Sequence, residues 1–269
     1  MENRQRLRAA SSILIKARAL GACLAGFADV ASLKGAPSFT FAPKMPGIEE
    51  GVGAMKNAMG LGPGEVSWPH RARTLLVIAV AHPADRPEMD WWHGRKDPPG
   101  NRMLARRVRE LCTWISERFG IRTVHLPYHT EKGGTFLKDA AVMAGLGCLG
   151  RNNMLVTPEY GPRVRLRALT LDVALPSTGP SAFDPCTGCD APCRRACPQS
   201  AFAQQCYTAE AFDQTKLPGR SGVYSRPACN LQMQKDEASA AFQAVEGMDE
   251  PVRVVKYCRN CELACPVGQ

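Results

Sequence analysis

Cys186-Thr-Gly-Cys189-Asp-Ala-Pro-Cys193-Arg-Arg-Ala-Cys197-Pro198 is the stretch around which the rest of the chain is organised. A second run, Cys258-Arg-Asn-Cys261-Glu-Leu-Ala-Cys265-Pro266, follows it, and Cys229 stands between the two. Each run ends in Cys-Pro. Two thiolates spaced Cys-x2-Cys in one tight loop can reach a single metal centre. A further Cys followed by Pro is turned away, and its sulfur goes elsewhere.

Three chemistries compete for such cysteines. A disulfide framework belongs to shorter, secreted, loop-rich chains, and this one has 269 residues. Zinc sites usually take two Cys pairs, without a third Cys three residues on and a fourth before Pro. The pattern fits bacterial iron–sulfur binding, in which the last Cys of each run ligates the other cluster. The first run departs by one residue from the usual spacing. The second lacks a nearby fourth Cys, which Cys229 supplies; Cys206 is its rival, but Arg226-Pro-Ala-Cys229 more resembles a ligand-bearing turn. The exchange rule therefore predicts two [4Fe–4S] clusters. One takes Cys186, Cys189, Cys193 and Cys265; the other takes Cys197, Cys229, Cys258 and Cys261.

A bare ferredoxin needs well under half of this chain, so residues 1–175 do something else. The 45% hydrophobic content supports a real core, and the 22% charged fraction argues against disorder. Lys16 and Arg18 interrupt the mildly apolar residues 11–27, so neither a secretory leader nor a membrane span is expected. The expectation is a cytoplasmic protein with no membrane partner. The net charge of +9 suits either a solvated basic surface or an acidic partner, such as nucleic acid or a small acidic electron carrier.

Periodicity predicts a helix over 3–20 and a strand over 22–28, then a Gly/Pro-rich loop region over 29–73. Thr74-Leu-Leu-Val-Ile-Ala-Val-Ala81 reads as a strand buried on both faces. A loop with Trp91, Trp92 and His93 precedes a helix over 101–119, where Leu104, Val108, Leu111, Ile115 and Phe119 recur at helical spacing and Cys112 is a packed thiol. A strand over 121–126 and a short helix over 136–144 follow. In Arg163–Leu175, Val164, Leu166 and Ala168 share one face, and Arg163, Arg165 and Arg167 the other. Such a row reads as the wet side of an edge strand, with phosphate binding as the alternative. Pro176–Pro185 reads as a linker. The fold class expected is α+β, an α/β domain over 1–175 followed by a ferredoxin-like 2×[4Fe–4S] domain over 176–269.

Gly145-x-Gly147-x-x-Gly150 matches the dinucleotide pattern, which has meaning only between a strand and a helix N-terminus. Here helix precedes and strand follows, so a dinucleotide site is rejected. The glycines instead permit a tight turn and a close backbone approach.

Ala144-Gly-Leu-Gly147, Gly150-Arg-Asn152 and Pro158-Glu-Tyr-Gly161, followed by split ferredoxin cysteines, resemble the cobalamin-dependent epoxyqueuosine reductases. The resemblance extends over most of the chain. It implies a nitroreductase-like N-terminal domain that holds a corrinoid against the clusters, with Gly147 and Asn152 shaping its pocket. The clusters would pass single electrons to cobalt, which would remove the epoxide oxygen from a modified wobble base in tRNA. An electron donor such as flavodoxin or ferredoxin is implied as a partner. The family's proton-donating Asp is absent: Tyr128-His-Thr-Glu131-Lys-Gly-Gly134 occupies that stretch, with Glu131 at the matching position and His129 beside it. The family's bulky Trp in the glycine segment is Cys148 here. The rival reading is an electron-transfer protein that reduces the cobalt of a partner corrinoid protein and has no tRNA substrate.

Overall fold

The computed structural model describes residues 2–45, 60–62, 65–94 and 97–269, and of Glu131 the backbone only. Its centre is the run Thr74–Ala81, which forms strand β2, preceded by α1 (Asn3–Ala19), β1 (Leu24–Asp29), α2 (Val30–Leu33) and α3 (Pro37–Phe41). Then come β3 (Trp92–His93), α4 (Pro99–Phe119), β4 (Thr123–His125), α5 (Leu137–Met143), β5 (Cys148–Leu149), β6 (Leu155–Val156) and β7 (Val164–Leu171). The cysteine-rich part supplies α6 (Pro192–Arg195), α7 (Ala209–Phe212), α8 (Arg226–Ala238), β8 (Ala241–Gln243), β9 (Val252–Val255) and α9 (Asn260–Leu263). Residues 46–59 of the expected loop region lie outside the described residues.

The main sheet has the order β1-β2-β7-β4, and every pairing in it is antiparallel. β2 is buried from Thr74 through Val80 because helices cover both faces. Leu76, Ile78 and Val80 pack with Ile13 and Ala17 of α1 and with Leu104, Val108, Leu111 and Ile115 of α4. Leu75, Val77 and Ala79 face the other way, onto Val30 and Leu33 of α2 and Ala140 and Ala141 of α5. Each large side chain buried in this way stabilises the fold by about 1.5–3 kcal/mol. α4 stops at Gly120, whose φ of +64° is the left-handed conformation that ends a helix at little cost in glycine. Cys112 packs against this core.

β7 corrects the sequence reading. It is not an edge strand; it lies between β2 and β4. Its arginine row is not wet either, since Arg163 is buried and the side chains of Arg165 and Arg167 are largely covered. Strand alternation distinguishes two faces but not what covers them; here Cys265 and Glu262 of the cysteine-rich part meet Arg163 and Arg165, and Tyr128 covers Arg167.

The two parts of the chain interlock. The expected loop at 83–100 contains β3, which pairs with β9, and β9 pairs with β8. Lys256 lies over the ring of Trp91 at 3.9 Å, and Trp92 meets Tyr257 edge-on. Phe41 joins Tyr207, Phe212 and Leu217 in a small core of its own. The linker is bonded rather than loose. Thr178 Oγ1 accepts from the Phe27 amide at 2.8 Å and donates to the Ala144 carbonyl at 2.6 Å. Gly145 lies beneath it with φ +74°, and an added Cβ would stand 2.7 Å from the Thr178 carbonyl oxygen. Gly145→Ala is therefore expected to cost about 1–3 kcal/mol in a denaturant titration, through positive φ and displacement of the linker.

Candidate metal centres and the glycine hairpin

Local geometry starts with Asp184, whose carboxylate accepts from the Cys186 amide at 3.1 Å and from the Thr187 hydroxyl at 3.0 Å, curling the chain before the first thiol. Ala191, at φ +55°, turns the chain into Pro192 and the short α6, which carries Cys193 and delivers Cys197 just beyond its end. α9 does the same for Cys261 and Cys265, and α6 packs against α9. Cys229 sits in the first turn of α8, whose start Ser225 caps by accepting from the Ala228 amide.

This packing brings the thiols together in two groups. Cys193 lies within electrostatic reach of Cys265, Cys186 and Cys189. Cys261 lies within reach of Cys229, Cys258 and Cys197. Each group gathers four of the thiols expected as ligands. Cys206 is exposed, with its thiol on the Gln204 carbonyl. All the cysteines are free thiols. Among the described residues no three His, Cys, Asp or Glu side chains could hold a single metal ion. The donor chemistry suits clusters, because each group is all sulfur. Burial, then Cys229 and Cys258, push the Cys261 thiol up to about 12. Neighbouring thiolates repel one another, and a cationic metal centre would stabilise them.

Glycines build the hairpin that abuts both groups. α5 ends, the chain turns at Gly145, and β5 pairs with β6. The order is helix then strand, as the rejection of a dinucleotide site requires. An added Cβ on Gly147 would lie 2.1 Å from the Val156 carbonyl oxygen, so its bareness serves the hairpin's own closure. Asn152 is 3% exposed; its Nδ2 donates to the Cys261 carbonyl at 3.2 Å and its Oδ1 accepts from the Met154 amide at 3.2 Å. Arg151 Nη1 donates to the Cys189 carbonyl at 2.6 Å, and Arg194 Nε returns a bond to the Arg151 carbonyl at 3.1 Å. Lys138 Nζ caps the Asn153 carbonyl at 2.7 Å, and burial lowers its pKa. The two residues expected to shape a corrinoid pocket thus spend these contacts inside the protein. Cys148 lies within electrostatic reach of Cys186, a proximity that sequence reasoning missed. The backbone of Glu131 lies in a 3₁₀ turn, Thr130–Lys132, and its side chain is outside the described residues. His129 beside it meets the ring of Tyr128 edge-on.

Sequence reasoning also missed a closed charge network beside the second thiol group. Arg165 Nε donates to Asp90 Oδ1 at 2.9 Å and its Nη2 to Glu262 Oε2 at 2.9 Å. Arg259 closes the ring, pairing with Asp90 Oδ2 at 2.9 Å and with Glu262 Oε1 at 2.5 Å. His82, fully buried, joins through Nδ1 to Asp90 at 2.9 Å. Arg163 bonds the Cys265 and Val267 carbonyls at 3.1 and 2.5 Å. Arg163 and Arg165 of the row thus hold the segment at α9, while Arg167 lies over the ring of Tyr128 at 4.5 Å and pairs with Asp97 at 3.9 Å. Two carboxylates matched by two guanidinium groups can be buried because each charge meets an opposite one. An Arg-rich strand in an otherwise apolar sheet is the one sequence signal that could have pointed here.

No family model matches the chain. It is 33% identical over 107 residues to the epoxyqueuosine reductase of Gloeobacter violaceus, covering 39% of this chain and 31% of that protein. It is 38% identical over 128 residues to a tetrachloroethene reductive dehalogenase of Desulfitobacterium hafniense, covering 46% of this chain and 21% of that one. The chain thus spans less than a third of either curated relative. In fold it matches a crystal structure of epoxyqueuosine reductase with an epoxyqueuosine-modified tRNA-Tyr stem loop, with a TM-score of 0.57 at 19% identity over 96% of this chain and 64% of that one. Among the described residues no helix is long and apolar enough to cross a membrane. By sequence over part of its length and by fold over nearly all of it, the chain resembles the epoxyqueuosine reductase family, with a second likeness to a reductive dehalogenase.

Proposed function

We propose that the chain is an iron–sulfur, cobalamin-dependent reductase of the epoxyqueuosine reductase type, with residues 1–175 forming the corrinoid-binding domain and 176–269 the ferredoxin-like one. The observation that carries the reading is the pair of crossed four-thiol groups, clamped by Arg151 and Asn152 to the glycine hairpin. Two [4Fe–4S] clusters, when bound there, supply single electrons. The chain's own part is to hold their ligand loops rigid through Asn152, Arg151, Arg163 and Glu262. The cobalamin comes to the proposal from the resemblance in the glycine segment. Both polar atoms of the Asn152 side chain are engaged within the protein, so no contact from it to a corrinoid is assigned.

The substrate proposed is epoxyqueuosine in tRNA. The related structure named above was determined with such a stem loop, and a net charge of +9 favours a phosphate backbone. Glu131 is the proposed proton donor, by its position relative to Ala144. A flavodoxin or ferredoxin is the proposed source of electrons. The test is anaerobic incubation of cluster-replete protein with cobalamin, a reductant and epoxyqueuosine-containing tRNA. Conversion to queuosine is expected, and none at all rejects this substrate.

A second reading rests on the 38% identity to a reductive dehalogenase. It keeps the scaffold and replaces tRNA by a small organic substrate. Halide release from tetrachloroethene, with no queuosine formed, would favour it. Recovery of a corrinoid protein without tRNA in a pulldown would instead favour the electron-transfer alternative, in which the cobalt belongs to a partner.

A further inference from the structure

The charge of the chain is unevenly spread. α1 carries five basic residues, Arg4, Arg6, Arg8, Lys16 and Arg18, and no acidic one. α4 carries five more, Arg102, Arg106, Arg107, Arg109 and Arg118, against Glu110 and Glu117. The two helices thus hold ten of the 34 basic residues and two of the 25 acidic ones, which leaves 24 against 23 for the rest of the chain. Nearly the whole excess of +9 sits on this one pair of helices. Arg4, Arg8, Arg18, Arg106, Arg109 and Arg118 are exposed, and among the described residues no carboxylate pairs with any of them.

The helices pack side by side and run in opposite directions. Arg8 and Arg118 line one open cleft of about 750 Å³, Lys16 lies over the Trp114 ring at 5.7 Å, and Gly21, just past α1, lies against the Arg107 guanidinium. Gln5, Ser11 and Ser12 add polar side chains to the cleft beside its two guanidinium groups. Guanidinium, amide and hydroxyl groups of this kind bind phosphate oxygens. Leu7 and Ile15 are exposed on α1 as well, at 50% and 69%, but Ser11 stands between them, and apolar residues scattered singly form no patch.

We propose that the α1–α4 face, centred on the cleft between Arg8 and Arg118, binds the sugar-phosphate backbone of tRNA away from the base that reacts. The inference deepens the tRNA reading above and rests on it. The rival occupant is an acidic electron carrier, and placement argues against it. The other end of α4 is the one turned toward the cysteine-rich part: Gly100 lies against His82, whose carbonyl accepts from Arg259. From Gly100 to Arg118 the helix rises about 27 Å, at about 1.5 Å per residue. A carrier seated at Arg8 and Arg118 would stand a helix length from the end that meets the cysteine-rich part. A nucleic acid carries charge along its whole length, so it can meet the protein at the reacting base and at a distance from it.

Fluorescence anisotropy of an unmodified tRNA transcript with the cluster-replete full chain, over a range of salt, tests this without turnover. Arg8→Gln/Arg118→Gln is expected to weaken binding about tenfold at low salt and to lower the slope of log Kd against log salt by about two, one for each phosphate contact. Arg86→Gln/Lys216→Gln, which removes two exposed charges elsewhere, is expected to leave both nearly as they were. Glutamine is a good helix former, so the thermal melt should not move. Should the double variant prove unstable, Arg118→Gln alone is expected to lower the slope by about one. No change in Arg8→Gln/Arg118→Gln, or an equal loss in the control, overturns this proposal and leaves the tRNA substrate standing. A wild type that binds no tRNA overturns both. If Arg8→Gln/Arg118→Gln instead loses binding to an acidic flavodoxin or to phosphatidylserine vesicles and keeps tRNA, the face belongs to an electron carrier or a membrane surface, and the proposal falls.

Discussion

Cys229→Ala loses about half of the bound iron, while Cys206→Ala loses none, when each protein is reconstituted anaerobically and analysed for iron and by electron spin resonance. The expectation follows from where the two thiols lie. Cys229 lies in the first turn of α8, near Tyr224 and within electrostatic reach of Cys197. Cys206 is exposed and rests on the Gln204 carbonyl. A cluster short of one sulfur ligand is left open to water or to a weaker donor, so loss of its iron is the large effect expected. The other cluster keeps Cys186, Cys189, Cys193 and Cys265 and should retain its signal. Iron lost from Cys206→Ala and kept in Cys229→Ala would mean that the second group has a different fourth ligand.

Asp90→Ala is expected to destabilise the protein by about 3–5 kcal/mol in a denaturant titration, at constant cluster content. Asp90 meets His82, Arg165 and Arg259 together. Removing it leaves two guanidinium groups sharing Glu262 in a site where Arg259 is only 10% exposed. The cost is that of uncompensated buried charge rather than of one lost contact. Burial raises the Asp90 pKa, but the His82 hydrogen bond and the charges of Arg165 and Arg259 outweigh it and hold the carboxyl below the ordinary aspartate range. A carboxylate depressed in the folded state contributes stability above its unfolded pKa, near 4, and loses that contribution as pH falls through the folded value. The stability gap between the wild type and Asp90→Asn should therefore be full at neutral pH and shrink below about pH 4. A gap that does not change with pH would mean that Asp90 acts through packing alone.

Much of the scaffold was legible because its signals are local. The β2 run and the α4 stripe are set by spacing within one element, and both stand close to where periodicity puts them. Burial of β2 on both faces was also legible, whereas its antiparallel partners were not, because an apolar run carries no strand direction. The arginine row of β7 was misread for a related reason. Its partners Asp90 and Glu262 lie 75 and 97 residues away in sequence, and nothing near Arg165 announces them. Cys148 likewise shows its neighbour Cys186 only after the linker has folded back over Phe27 and Ala144.

By itself the sequence offered two cysteine runs, since Cys-x2-Cys spacing and a following proline restrict which sulfurs can share a loop. It also determined that the glycine segment follows a helix and opens a strand, which removes it from the dinucleotide binders. Only the tertiary structure decided what holds the cysteine runs in place: Asn152 and Arg151 on their backbone carbonyls, and the Asp90–Arg165–Glu262–Arg259 ring beneath α9. Covalent spacing acts along the chain and can be read there. Charge pairing and hydrogen bonding act through space, between residues that meet only when the sheet and the cysteine-rich part have closed on each other.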